Sequence, residues 1–244
     1  MSDPLVSIII TNYNYAYYLP ECIESCLNQT YKNIQISIAD DASTDSSSMM
    51  ISHYCDIAEC DFEFYIHEKN RGYSAAKNTA IKASRGKFIV MIDADDKLTP
   101  DSIELRMNEF IKNPELDLVH GLALRWYGGS DLRGYNKKTY IHAQGRMYRR
   151  SVYERFGLYY EPLRSMSDKE YVYRLGIHPN SKLPKLIKEK KVKKPVAWYR
   201  KHDTQMHRVR KKNPKKNEQI VKIFNRRIKQ LKREGITTKN TEFL

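Results

Sequence analysis

The sequence is short of features that would mark a secreted or membrane-embedded protein. It has four cysteines in 244 residues, and no apolar run approaches the roughly 20 residues that a helix needs to cross a bilayer. No signal peptide precedes the first apolar segment, so we expect reduced thiols and a cytoplasmic protein. Ten glycines and nine prolines are ordinary amounts, so most of the chain should fold.

Acidic residues are scarce in the C-terminal quarter. Residues 182–234 hold 21 Lys and Arg against 4 Asp and Glu, a net charge of +17, whereas residues 1–181 hold 21 against 24. The excess charge points to a polyanionic partner such as an anionic membrane or DNA, although a solvated face is the alternative. Within 208–234 apolar residues recur at helical spacing, which predicts an amphipathic helix able to bury its apolar face in a membrane. These apolar residues are Ile220, Ile223, Phe224, Ile228 and Leu231.

The most informative stretch is an apolar run that ends in acids. Residues 88–92 read as a buried strand, and Asp93, Asp95 and Asp96 follow at once. Carboxylates must emerge at the end of such a strand, where ligands bind in open α/β sheets. Oxygen ligands of this kind suit Mg²⁺ or Mn²⁺. A solvated acidic turn is the other interpretation.

The flanking sequence repeats a strand, a polar loop and a helix. Strands are predicted over 5–10, 34–39, 62–67 and 88–92, and helices over 19–27, 46–55 and 74–84. This alternation is typical of a mostly parallel α/β sheet flanked by helices. Polar residues follow the first, second and fourth strands, so they should meet at one edge of the sheet. A helix over 103–110 and a strand over 116–124 are predicted next.

Five motifs, in order, resemble the opening of family 2 glycosyltransferases of the GT-A fold. They lie at 6–14 (VSIIITNYN), 25–31 (SCLNQTY), 40–45 (DDASTD), 70–78 (NRG and AKN) and 93–96 (DADD). The resemblance covers residues 5–105 and continues more thinly to about residue 205. It implies a GT-A-like domain over 1–205, with a basic helical extension over 206–244. It also implies an inverting, nucleotide-sugar-dependent enzyme.

The resemblance implies roles for the polar loop residues. Tyr13 would stack on a base whose edge meets the backbone of Thr11, and Asp41, or less readily Asp40, would accept the imide proton of uracil, which favours a UDP or dTDP donor. Lys77 stands where the family more often has Arg, and would supply a cation near the diphosphate. Simple packing is the alternative for Tyr13, and a helix cap for Asp41. The donor residues so implied are Thr11, Tyr13, Asp40, Asp41, Arg71, Lys77 and Asp95.

Metal and catalytic residues follow from the same resemblance. Asp96 would bind Mn²⁺ or Mg²⁺, Asp95 would bind the metal or the ribose, and Asp93 would be a further metal ligand or support either of them. His202, in a stretch that resembles the family's Tyr-Arg-x-His, would bind the metal or contact the diphosphate, with His207 as its substitute. Each His could equally be structural. Asp168 is the candidate base, although Ser167 replaces the family's usual Glu before it. Glu170 is the alternative base, and an ordinary helix N-terminal Asp the plain interpretation of Asp168.

Together these features predict transfer of a sugar to an acceptor hydroxyl. The acceptor would be a saccharide or a glycolipid, with the protein in the cytoplasm or peripherally at the inner face of the membrane. Glycosylation of a hydroxymethylated DNA base in a phage-like system is the alternative, and a non-enzymatic polyanion-binding module is a third. The oligomeric state is left open.

Overall fold

The computed structural model describes residues 3–126, 143–205 and 213–235. One eight-stranded sheet runs through them, in the order β3-β2-β1-β4-β7-β6-β8-β5. The strands are β1 (Val6–Asn12), β2 (Ile34–Asp40), β3 (Asp61–Ile66), β4 (Phe88–Asp93), β5 (Lys97–Leu98), β6 (Leu118–Trp126), β7 (Arg146–Arg149) and β8 (Glu189–Arg200).

Helices cover both faces of the sheet, as the alternating pattern predicts. Apolar side chains of β1, β2 and β4 pack on one face against α1 and α4 and on the other against α3. The helices are α1 (Leu19–Leu27), α2 (Ser47–Ile57), α3 (Tyr73–Ala83), α4 (Ser102–Lys112), α5 (Arg150–Phe156), α6 (Ser167–Arg174) and α7 (Pro214–Glu234), with a short 3₁₀ turn at Ala143–Gly145.

The first four strands in space form the parallel half of the sheet. β1 pairs in parallel with β2 and β4, and β2 with β3. Thr11 lies opposite Asp93 and Asn12 opposite Asp40. The polar ends of β1, β2 and β4 therefore share one edge, as expected.

The other half of the sheet is mixed. β7 runs antiparallel to both β4 and β6, β8 is parallel to β6, and β5 pairs antiparallel with β8. The last pairing has a direct consequence for the site. It sets Lys97 opposite Trp198 and so brings the end of β8 beside the Asp93–Asp96 turn.

Helix α7 is amphipathic, as predicted, but its apolar face is covered by the protein itself. Ile220, Phe224 and Ile228 pack with Leu163 in a separate buried cluster. The expectation that this face could sink into a membrane is therefore wrong, because that surface is already buried against the segment that leads into α6. The domain boundary after residue 205 stays a prediction. Among the described residues no helix has the length and apolarity to span a bilayer.

Candidate functional site

Three carboxylates form the centre of the site at the end of β4. Asp93, Asp95 and Asp96 each offer an oxygen, and these atoms lie within 4.8 Å of one another. Asp93 is half-buried, while Asp95 and Asp96 are almost completely buried. The backbone places them together because Asp96 N–H closes a tight turn on the Asp93 carbonyl, at 2.9 Å.

Asp93 is held in place by neutral donors. Its Oδ1 accepts hydrogen bonds from the Tyr73 hydroxyl at 2.6 Å and the Thr11 hydroxyl at 3.3 Å, and its Oδ2 accepts one from Gln144 Nε2 at 2.8 Å. Thr11, predicted to meet the donor's base, thus has its side chain on Asp93. Tyr73 and Gln144 were not predicted from the sequence, since an aromatic after a turn and a lone Gln carry no distinctive signal.

Asp95 and Asp96 are joined to the end of β8. Asp96 Oδ1 accepts the Arg200 N–H at 2.8 Å, and the Arg200 Nε–H donates to the Asp95 carbonyl at 2.8 Å. His202 Nε2 lies 2.9 Å from Asp95 Oδ2. The tilted Tyr18 ring, with its centroid 4.6 Å away, packs on the imidazole. The structure thus brings His202 to the acidic cluster.

One oxygen of the cluster is left without a partner. Asp96 Oδ2 is buried, and none of the described residues donates a hydrogen bond to it. A buried carboxylate oxygen in that condition is costly unless a ligand completes its environment. The three carboxylates and the His202 imidazole form an oxygen-rich donor set that suits Mg²⁺ or Mn²⁺. The residues therefore fit a divalent cation.

Burial and mutual repulsion disfavour the charged forms of these acids. Burial raises the pKa of Asp93 to about 6, although the Lys77 ammonium opposes the rise, and Asp95 and Asp168 add to it. Burial, with Asp95 and Asp93 nearby, raises the pKa of Asp96 well above its ordinary value. A bound cation would reverse this effect by favouring the ionised carboxylates.

The acids after β2 are engaged in organising loops. Asp40 accepts hydrogen bonds from Asn12 Nδ2 at 2.6 Å and from Ser43 N–H at 2.8 Å. Asp41 accepts the backbone N–H of Arg71 and of Gly72, both at 2.7 Å, so it ties β2 to the start of α3. It also lies 2.8 Å from His67 Nδ1. Any contact of Asp40 or Asp41 with uracil would have to form in addition to these hydrogen bonds within the protein.

Two further residues that were predicted to bind the nucleotide-sugar donor lie on the protein surface at the same edge of the sheet. Tyr13, on the loop after β1, is 46% exposed, so its ring is accessible for stacking. The Arg71 side chain is also exposed, and its Nη2 lies 3.3 Å from Glu161 Oε2.

Lys77 and Asp168 meet although 91 residues separate them in sequence. The Lys77 ammonium is ion-paired with the Asp168 carboxylate and lies 3.8 Å from the centre of the Tyr73 ring and 4.7 Å from that of Tyr159. Lys77 is buried, whereas the Asp168 side chain keeps 26% of its surface exposed. The candidate base thus lies beside the candidate diphosphate cation, with its side chain partly exposed.

Glu170, the alternative base, is excluded by its surroundings. Its side chain is fully buried, and it accepts hydrogen bonds from Arg174 at 2.8 Å and from Arg227 at 3.3 Å. In this structure the Glu170 carboxylate is paired with two guanidinium groups and is not exposed to an acceptor hydroxyl. The remaining alternative, His207 as a metal ligand, lies outside the described residues.

Comparison with known proteins gives the arrangement a family context. The model of the family "Glycosyl transferase family 2" matches residues 7–160. The chondroitin synthase of Escherichia coli is 42% identical over 118 residues, which make up 48% of this chain and 17% of that protein. The acidic cluster and the loops after β1 and β2 all fall inside the match to the family model.

Two solved structures share the fold. The Staphylococcus protein described as "S. aureus TarS 1-349 in complex with UDP" superposes with a TM-score of 0.68 and 16% identity, over 91% of this chain and 64% of that one. The mannosyltransferase PcManGT from Pyrobaculum calidifontis, in complex with GDP-Man and Mn²⁺, gives 0.68 and 16%, over 92% and 65%. The predicted GT-A fold is confirmed. The chain spans less than two thirds of each of these three proteins.

Proposed function

The chain belongs to glycosyl transferase family 2, and from that premise we propose that it moves a sugar from a nucleotide-sugar, preferably a UDP-sugar, to an acceptor hydroxyl with inversion. The observation that carries the proposal is the buried acidic cluster at the carboxyl edge of the parallel strands, with one oxygen of Asp96 lacking a partner. The UDP complex of one structural neighbour and the GDP-Man and Mn²⁺ complex of the other support a nucleotide-sugar as the donor.

The donor site is assembled around the β1, β2 and β4 ends. Tyr13 offers an exposed ring for the base, and Asp40 and Asp41 line the adjacent loop. Asp93, Asp95, Asp96 and His202 would hold Mn²⁺ or Mg²⁺. When bound, the cation would neutralise charge on the diphosphate leaving group.

Asp168 is the proposed general base. Its carboxylate takes the proton of the acceptor hydroxyl as that oxygen attacks the anomeric carbon from the face opposite the diphosphate. One displacement of this kind inverts the anomeric centre. The Lys77 ammonium, which is ion-paired with this carboxylate, would orient it and would place a positive charge near the departing diphosphate.

The acceptor is proposed to be a saccharide or a glycolipid. The outer face of α7 is strongly basic, and because its apolar face is buried, any contact with an anionic membrane surface or with DNA must rest on charge alone. Arg227, a basic residue of the same helix, is instead ion-paired with Glu170. The exposed basic residues of α7 are Lys215, Lys216, Lys222, Arg226, Lys229, Lys232 and Arg233.

A donor panel tested against several acceptors checks this proposal. UDP-sugars and GDP-sugars are incubated with Mn²⁺ and with a neutral oligosaccharide, a glycolipid in anionic vesicles, or hydroxymethylated duplex DNA. We expect nucleotide release above background with at least one UDP-sugar and saccharide-type acceptor. If the basic face of α7 binds a polyanionic acceptor, transfer to that acceptor should fall steeply with salt, while transfer to the neutral one should not. No release with any donor would contradict the proposal, and selective transfer to DNA would favour the alternative acceptor.

A further inference from the structure

The segment that delivers the proposed base begins in a strained conformation. Met166, which precedes α6, has φ 66° and ψ 11°, in the left-handed region that residues other than glycine seldom adopt. Asp168 follows two residues later. Such a conformation persists only when neighbouring structure holds it in place. The question is which part of the fold does so.

The C-terminal helix α7 supplies that support through its apolar face. Phe224 and Ile228 pack with Leu163, which is fully buried, and Met166 packs against the same cluster. Leu163 also accepts a hydrogen bond from the Ser74 hydroxyl on α3, the helix that carries Lys77. The start of α6 is therefore held between α3 and α7.

A buried ion pair makes a second link from α7 to α6. Arg227 donates to Glu170 at 3.3 Å, and its guanidinium lies 4.6 Å from the centre of the Tyr160 ring. Glu170 is also bound by Arg174, whose guanidinium donates to the carbonyls of Phe156 at 2.7 Å and of Leu158 at 2.9 Å. Arg227 thus closes a network of buried contacts around the helix that carries Asp168.

We propose that α7 positions the general base, and that Arg227 is a positioning residue for Asp168. The C-terminal helix then has two faces with separate tasks. The outer face is basic and open to solvent, while the inner face fixes α6 so that the Asp168 carboxylate meets Lys77. This inference rests on the proposed function, because it assigns the helix a role in the step that Asp168 performs. If α7 positions Asp168, deleting the helix should slow sugar transfer as well as weaken any binding to a polyanion.

The test replaces Arg227 by Met, which retains a long stem over Tyr160 and leaves Glu170 paired with Arg174. We expect kcat to fall by about 10- to 100-fold, the scale of a small misplacement of a catalytic group, with KM for the donor and the Kd of UDP within about twofold of wild type. Arg227→Lys should restore most of kcat. Asn225→Ala, an exposed uncharged position on the same helix, serves as the control and should match wild type.

A second variant addresses the apolar contact. Phe224→Leu keeps the cluster apolar but loosens it under Met166, and it should lower kcat by several-fold with UDP affinity retained. Unchanged kcat in both Arg227→Met and Phe224→Leu, alongside a slow Asp168→Asn enzyme, would overturn the positioning role and leave the proposed function intact. A parallel loss of kcat and UDP affinity would also overturn it, because that pattern marks general damage to the fold. If Asp168→Asn itself is fully active, Asp168 is not the base and the positioning role falls with it, whereas the absence of transfer by the wild-type protein would contradict the proposed function.

Discussion

Replacing Asp168 by Asn should slow sugar transfer by about 10²- to 10⁴-fold, while UDP affinity stays within about twofold of wild type. The amide has nearly the same shape as the carboxylate but cannot take the acceptor's proton. Asp168 lies outside the acidic cluster that would bind the donor, so donor binding should persist. The measurement is kcat with the best donor and acceptor of the panel, together with calorimetric titration of UDP.

The matched control for this variant is Asp56→Asn, an identical change at an exposed position on α2. It should leave kcat unaltered. Near-normal turnover by Asp168→Asn would remove Asp168 from the mechanism. The role could not then pass to Glu170, which is enclosed by Arg174 and Arg227.

Replacing Asp96 by Asn should weaken the response of the protein to Mn²⁺ and, in the absence of metal, make the protein more stable. It should abolish the extra stabilisation that Mn²⁺ gives to the UDP complex, because the buried carboxylate that faces the proposed cation is lost. It should also stabilise the metal-free protein near pH 7, by about 0.5–3 kcal/mol, since the variant no longer buries a carboxylate among Asp93 and Asp95. A buried group that lowers the stability of the protein when its ligand is absent is expected of a residue that serves ligand binding.

The direction of the Asp96 pKa shift determines how the stability gained by Asp96→Asn in the absence of metal depends on pH. The native pKa of Asp96 lies well above its ordinary value, so the native state retains this proton at pH values where the unfolded chain has lost it. The metal-free wild type must therefore lose stability as pH rises from the unfolded pKa through the native one. Asp93, whose pKa is raised to about 6, adds a loss of the same sign below that pH. The advantage of Asp96→Asn should accordingly shrink on acidification.

Thermal unfolding in EDTA, in Mn²⁺ and in Mn²⁺ with UDP, each at pH 5 and pH 7, measures both effects for wild type, Asp96→Asn and Asp56→Asn. A Mn²⁺ increment of equal size in Asp96→Asn and wild type would remove Asp96 from the cation site. A metal-free variant less stable than wild type at pH 7 would show that the buried carboxylate contributes a favourable interaction instead.

Local sequence was sufficient for the parallel half of the fold. The segment over 88–92 is a continuous apolar run and those over 5–10 and 34–39 are largely apolar, as is typical of strands that are buried on both faces of a sheet. Because they end in polar loops, their shared edge and the acidic cluster could be predicted before any coordinates. The helical spacing of residues 208–234 likewise predicted α7.

Contacts between distant segments could not be predicted in this way. Arg200 reaches Asp95 and Asp96 only because the two-residue strand β5 pairs with β8, and a strand that short has no periodicity to recognise. The pattern of α7 predicted an apolar face but not the surface that covers it, and the covering proved to be the α6 segment rather than lipid. For the same reason the burial of Glu170 between two arginines was invisible in sequence, so it remained a plausible base until the fold was known.

The most direct test of a single inverting displacement needs no acceptor. The wild-type protein is incubated with Mn²⁺ and the UDP-α-sugar that scored best in the panel, and NMR identifies the anomer of the sugar formed first when water takes the acceptor's place. One displacement from the face opposite the diphosphate predicts the β-anomer, with Asp168→Asn forming it far more slowly. First formation of the α-anomer would contradict inversion, and no sugar release under conditions where UDP binds would contradict the assignment of a transferase site to this edge of the sheet.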